Sequence, residues 1–181
     1  MSENLTKDEK IKEEIISSAQ KLFIQFGISK TTMEDIAKTT GKGKSTLYYY
    51  FKNKEEIFTA VLDKEINEIA AEINLQIDSV DSATDKLKAY IITTSLAISK
   101  KINLYHVIKG EIKDYWKIVG ETKEKYNRLE RKKLSEIISL GVKNKEFKTI
   151  DEKNFGILSY VLVTTIGSLA EDLLFGTESP D

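Results

Sequence analysis

Residues 32–56, TMEDIAKTTGKGKSTLYYYFKNKEE, constrain this chain more than any other stretch. Thr32 and Asp35 have the spacing of a capping box, in which each residue satisfies the other's backbone amide, so a helix starts there. Ile36 and Ala37 are its inward residues. Gly41 ends it, because a residue without a Cβ enters the left-handed region at little cost and lets the chain reverse. Leu47 and Phe51 lie four apart and pin one face of a second short helix. Ser45, Tyr48, Tyr49 and Lys52 fall on the opposite face. Lys44 stands near that helix's N-terminus, where backbone amides also receive phosphate. Asn53 with Glu56 opens a third helix. From Lys38 through Lys54 there are five lysines and no acid. Such a pair of helices, basic and aromatic on the outside, is what a helix-turn-helix needs to lay a recognition helix in a DNA groove. A solvated hairpin with core tyrosines would not keep two adjacent tyrosines on its outer face.

These residues resemble the DNA-binding domain of the TetR family of bacterial regulators. The resemblance rests on Thr31-Thr32, Ile36-Ala37, Gly41, Thr46-Leu47-Tyr48-Tyr49-Tyr50-Phe51 and Lys54-Glu55. The preceding Ile15-Ile16, Ala19, Leu22-Phe23 and Phe26-Gly27 match as well. Beyond the first third of the chain the likeness is one of helical pattern only. The resemblance implies base-edge contacts for Lys44, Ser45 and Tyr48, and phosphate contacts for Thr32, Thr46, Tyr49 and Lys54. Three positions depart from the family. Lys42 stands where a Val-like residue is usual, and either touches DNA or is solvated. Gly43 replaces a small polar residue, and Ser45 a frequent glycine. The operator sequence is therefore not transferable from relatives.

Composition agrees with a DNA-binding head on a larger body. The 181 residues carry a net charge of −1, which is unpromising for a DNA binder until it is divided. Residues 1–54 hold ten lysines and seven acids, a net of +3; the rest holds 18 basic and 22 acidic residues, a net of −4. The basic footprint is local. One proline and no alternating strand pattern point to an all-α fold. The expected domains are a three-helix head, 1–53, and a helical ligand-binding and dimerisation body, 54–181. With no cysteine, disulfides and thiolate chemistry are out. No secretory or lipidation signal is visible, so a cytoplasmic protein is expected.

The helical pattern continues along the chain. Residues 1–9 are polar and expected to fray, with helix one over about 10–26 and the long link from head to body over about 54–77. Ser82 with Asp85 caps the next, about 83–101. A short segment follows from Asn103, broken at Gly110. Gly120 is expected to kink or end a charged stretch carrying Tyr115, Trp116 and Val119. Tyr126, Leu129, Leu134, Ile137, Ile138 and Val142 line an amphipathic helix ending near Asn144. The last helix, about 152–175, has no charge from Phe155 to Ala170. Apolar all round, it must be buried on both faces. Its uncharged run is shorter than the ~20 residues a bilayer needs, so a membrane span is rejected. The expected dimer stripe is Gly156, Ser159, Tyr160, Val163, Gly167 and Ala170, whose small members let a twin helix approach.

No enzyme, metal or cofactor is expected. His106 has no cysteine partner, and with Glu111 or Asp114 it has no convincing ligand spacing. Gly41-Lys42-Gly43-Lys44-Ser45 ends like a phosphate-binding loop but lacks the spacer and the preceding strand. The resemblance implies a small-molecule pocket in the body. Tyr90, Thr94, Tyr105, His106, Lys109, Trp116, Tyr126, Phe155 and Tyr160 are apolar or aromatic with polar tips, as such pockets require. The expected function is a homodimeric repressor on a palindromic duplex operator, released by an effector. The alternative is a helical protein-interaction module that no longer reads DNA.

Overall fold

The computed structural model describes residues 6–105 and 111–175, apart from the side chains of 98, 101–105, 112 and 169–175. His106, Lys109 and the side chains of Tyr105 and Ala170 therefore lie outside the described residues. The fold is all-α, with no strand among the described residues. Its helices are α1 (Lys7–Phe26), α2 (Met33–Thr40), α3 (Lys44–Tyr50), α4 (Lys54–Asp78), α5 (Ala83–Tyr105), α6 (Trp116–Lys143) and α7 (Phe155–Phe175). Short 3-10 turns, Ile112–Tyr115 and Glu152–Asn154, precede the last two.

Two compact units emerge, one of Met1–Glu65 with Leu104–Val119 and one of Ile66–Asn103 with Gly120–Asp181. The division falls inside α4. The reason is packing: the first turns of α4 bury Ile57, Phe58, Val61 and Leu62, and Phe58 meets Phe23 of α1 edge-to-face at 5.9 Å. The Gln20 amide also donates to the Glu65 carboxylate, and Lys64 pairs with Glu13.

In the first unit Ile15, Ala19 and Phe23 of α1, Ile36 and Ala37 of α2, and Leu47 of α3 are fully or almost fully buried. Helix α1 starts three residues earlier than expected. Thr6 and Glu9 form a capping box, with the Thr6 amide donating to Glu9 at 2.7 Å and the Glu9 amide to Thr6 at 3.3 Å. Gly27 ends α1 at φ 85°.

The second unit is built around Ile73, Ile77, Ala83, Tyr90, Leu134, Ile137 and Val163. The carboxylate of Glu146 caps α5, accepting from the amides of Ala83 at 3.0 Å and Thr84 at 2.9 Å. Those bonds keep it charged and hold its carboxyl below the usual range. The chain turns back after α6 over Gly141, where an added Cβ would lie 2.2 Å from the Phe147 ring.

Two expectations about α6 need correction. Gly120 neither kinks nor ends it; the helix runs unbroken from Trp116 to Lys143, because one glycine costs a helix only about 1 kcal/mol. Leu129, expected on the buried stripe, is 62% exposed, while Glu130 is 2% exposed. The buried face follows Tyr126, Glu130, Leu134 and Ile137 at intervals of four, four and three, so a carboxylate takes a position assigned to a hydrocarbon.

Candidate nucleic-acid interface

The head presents its second short helix as the sequence pattern requires. At α2, the Thr32 amide and hydroxyl donate to Asp35 at 2.9 and 2.6 Å, and the Asp35 amide returns a bond to Thr32 Oγ1 at 3.1 Å. The Thr32 hydroxyl and then its amide hold the Asp35 carboxyl below the usual range. Gly41 takes φ 64°, with its amide and that of Lys42 closing bonds onto the last carbonyls of α2. Gly43 opens α3 with no side-chain cap.

Leu47 and Phe51 anchor α3, both buried. Opposite them Ser45, Tyr48, Tyr49 and Lys52 are exposed, Tyr48 by 47% and Tyr49 by 77%. Thr46 is half-buried and Thr32 exposed. The third tyrosine of the run behaves differently. Tyr50 donates its hydroxyl to Asp8 of α1 at 2.7 Å, and that bond pushes its phenol up to about 12. It also stacks edge-to-face with Tyr49 at 4.9 Å, which limits how Tyr49 can turn.

Three lysines of the head, Lys42, Lys44 and Lys54, have intramolecular partners. Lys44 lies 3.3 Å from Glu34 of α2, and Lys42 lies 2.9 Å from Glu14 of α1. Lys54 points into the head: its ammonium donates to the Ile28 carbonyl at 2.7 Å and, more weakly, to that of Ser29 at 3.5 Å. The same turn is gripped from its other side. The Glu111 carboxylate accepts from the amides of Ile28 at 2.6 Å and Ser29 at 3.0 Å. A Cβ on Gly27 would lie 2.7 Å from that carboxylate. Sequence reasoning weighed Glu111 only as a metal ligand; its real partners are more than 80 residues away, and no local pattern announces them.

Three comparisons bear on this head and on the whole chain. Residues 15–61 match the model of the bacterial regulatory proteins of the tetR family. A crystal structure of a transcriptional regulator from Cytophaga hutchinsonii is 34% identical, covers 89% of both chains and superposes with a TM-score of 0.70. The transcriptional regulator QacR of Staphylococcus aureus is 31% identical over 67% of this chain and 64% of its own length. The transcriptional repressor ComR of Escherichia coli is 42% identical over 38% of this chain and 34% of its own. The matched region thus spans less than two thirds of either curated relative. The chain belongs to the TetR family. It is a transcriptional regulator with a helix-turn-helix head, not an enzyme.

In TetR-family terms the second unit is where an effector site is expected, and its residues are unevenly placed. Tyr90 and Thr94 are buried on α5, and Tyr126 is half-buried on α6 with its hydroxyl covered. Phe155 is half-buried at the start of α7. Trp116 is exposed and belongs to the first unit. The residue that sequence reasoning missed is Glu130. Burial raises its carboxyl, while Tyr90, Lys133 and Tyr126 pull it back down. Tyr90 and Tyr126 are both pushed upward, by burial first and by the Glu130 charge next. The readable signal was the i, i+4, i+8 row of Tyr126, Glu130 and Leu134, with the glutamate in its middle.

The small-residue stripe of α7 is partly used inside the chain. Ser159 is buried, with its hydroxyl donating to the Phe155 carbonyl at 2.9 Å and lying 3.0 Å from Ser135 Oγ. Val163 sits in the core. Gly156 is exposed, Gly167 half-buried, and Tyr160 exposed beneath the Arg131 guanidinium at 5.5 Å. The uncovered apolar face is Ile157, Leu158, Tyr160 and Val161, a stripe offset from the expected one. Among the described residues no helix is long and apolar enough to cross a membrane.

Proposed function

We propose that this regulator is a repressor that acts as a homodimer on a palindromic duplex operator and is released by a small-molecule effector. The observation that carries the reading is α3, whose buried Leu47 and Phe51 leave Ser45, Tyr48 and Tyr49 turned outward beside Lys44. Lys44, Ser45 and Tyr48 read base edges, and Thr32, Thr46 and Tyr49 hold phosphates. Lys42 joins them when it leaves Glu14. The exposed Ile157, Tyr160 and Val161 of α7 support a dimer, since an apolar face of this kind seeks a partner. A dimer sets two α3 helices about 34–36 Å apart, one turn of duplex. The effector, bound in the second unit, favours a state with different spacing and so lowers operator affinity. The name of ComR as a repressor supports repression over activation. A protein that meets the chromosome in this way acts in the cytoplasm.

Selection from a random duplex pool with the full chain at near-physiological salt tests the reading. An enriched palindrome supports it. A folded dimer that enriches nothing would transfer the head to a protein partner. Label-to-label distances between heads test release, which fails if spacing is identical with and without effector.

A further inference from the structure

The two short helices of the head hold a donor and an acceptor side by side. Lys44 is the first residue of α3, and Glu34 lies in the first turn of α2. The Lys44 ammonium donates to Glu34 Oε2 at 3.3 Å, and the two side chains are 58% and 76% exposed. The capping of α2 falls to Asp35, which receives the Thr32 amide and hydroxyl. An exposed ion pair adds little to stability. The surrounding fold is what sets its place. Ile36 and Ala37 bury one side of α2, Leu47 buries one side of α3, and Gly41 at φ 64° sets the reversal between them. The Glu34 carboxylate is thereby carried to the end of α3 that bears Lys44 and Ser45. An ammonium has three N–H groups and a carboxylate about four acceptor sites, so one mutual bond leaves both with capacity to spare.

The major-groove edge of a G·C pair has the matching pattern. Guanine offers two acceptors, N7 and O6, and cytosine offers one donor, its N4 amino group. O6 and N4 are hydrogen-bonded to each other and so stand about 2.9 Å apart, close to the 3.3 Å between Lys44 Nζ and Glu34 Oε2. We infer that Glu34 is a base-reading residue: with Lys44 it reads one G·C pair, Lys44 donating to guanine N7 and O6 while Glu34 accepts from cytosine N4. The inference rests on the reading of Lys44 as a base contact and adds a reader from the neighbouring helix. The ion pair meets the base pair intact, so neither charge is stranded in the groove. With adenine in place of guanine, its N6 amino group faces the ammonium and thymine O4 faces the carboxylate, donor on donor and acceptor on acceptor. With thymine in place of guanine, O4 and adenine N6 stay in register and only N7 is lost. Every duplex repels a carboxylate among its phosphates, and a facing amino group offsets that repulsion. Glu34 therefore narrows the choice of sequence at the expense of affinity.

The test uses the full-length chain and its Glu34→Ala, Glu34→Gln and Lys44→Ala variants. Each is titrated with single-pair variants of the half-site that the wild type enriches from a random duplex pool. That half-site should contain one G·C pair at which adenine for guanine weakens wild-type binding roughly tenfold or more, with thymine for guanine costing least. In Glu34→Ala the adenine penalty should fall to about threefold or less, while a duplex without the half-site binds more tightly. Glu34→Gln keeps the length and loses the charge; it should also lose the preference for cytosine, and it carries the test if Glu34→Ala fails to fold. Wild-type base preference in both Glu34 variants, with or without a loss of stability, would overturn the inference and leave Glu34 as a helix-end charge. Lys44→Ala separates the two levels. If it blurs one position while Glu34→Ala blurs none, the inference fails and the α3 reading stands. If it keeps every base preference, Lys44 is no base contact and the inference falls with it.

Discussion

The two units use tyrosine in opposite ways. On α3 of the first unit, Tyr48 and Tyr49 are exposed to solvent, Tyr49 with Tyr50 against its ring. In the second unit, Tyr90 and Tyr126 turn their hydroxyls inward around a covered carboxyl. An exposed ring needs no support from the fold, so it is free to be chosen for what it will touch. A covered carboxyl costs stability unless its oxygens are paired, and the Tyr90 and Tyr126 hydroxyls are the groups that bear on it. The first unit leaves tyrosine rings at its surface; the second uses them inside its own core.

The comparison can be broken by substitution. If α3 is held by its buried face and works by its exposed one, Leu47→Ala should unfold the head. Urea denaturation should show a loss of about 2–5 kcal/mol, the usual range for a buried leucine. Tyr48→Ala should behave oppositely. Stability should change by less than ~0.5 kcal/mol, while specific duplex binding weakens by about 1–3 kcal/mol and sequence preference blurs. A Tyr48→Ala chain that loses stability instead would make that residue structural.

Lys54 sharpens the same contrast, because it lies on the DNA-binding list by resemblance yet is turned inward in the free chain. Lys54→Ala should cost about 1.5–3 kcal/mol of stability, the range for a charged hydrogen bond, and leave the salt dependence of duplex binding unchanged. A salt slope lower by about one would restore it to the phosphate contacts. Gly120→Ala should stabilise the second unit by about 0.5–1 kcal/mol, since the helix is unbroken there and an added Cβ meets nothing within 4 Å. The smallest expected effect is spectroscopic. Tyr50 is raised to about 12 by its bond to Asp8, so that bond is intact below the ordinary phenol value near 10 and is lost as pH rises through about 12. Ultraviolet titration should show Tyr50 among the late tyrosines with Tyr90 and Tyr126, and Asp8→Asn should return Tyr50 alone toward the ordinary phenol value.

Much of the head was legible because its determinants are local. Thr32 with Asp35, Gly41, Leu47 with Phe51, and Asn53 with Glu56 all act within four residues, and Asn53 Oδ1 indeed accepts from the Glu56 backbone amide at 2.8 Å. Thr6 with Glu9 has the same form and was readable, but the polar run of residues 1–9 read as a frayed end. What was not legible acts across the chain. Glu111 holds a turn more than 80 residues away, and Lys54 is drawn inward by carbonyls of that same turn. Helical periodicity marks Leu129 and Glu130 as neighbours about 100° apart, and only packing against α5 decides which one is covered. On α7, with apolar residues all round, periodicity cannot say which stripe faces the chain's own core.

The most direct measurement is a crystal structure of the full chain on its selected operator. The account predicts α3 in the major groove, with Tyr48 and Lys44 against base edges and Tyr49 on the phosphates. A complex in which α3 lies outside the groove, with another element against the bases, would contradict it.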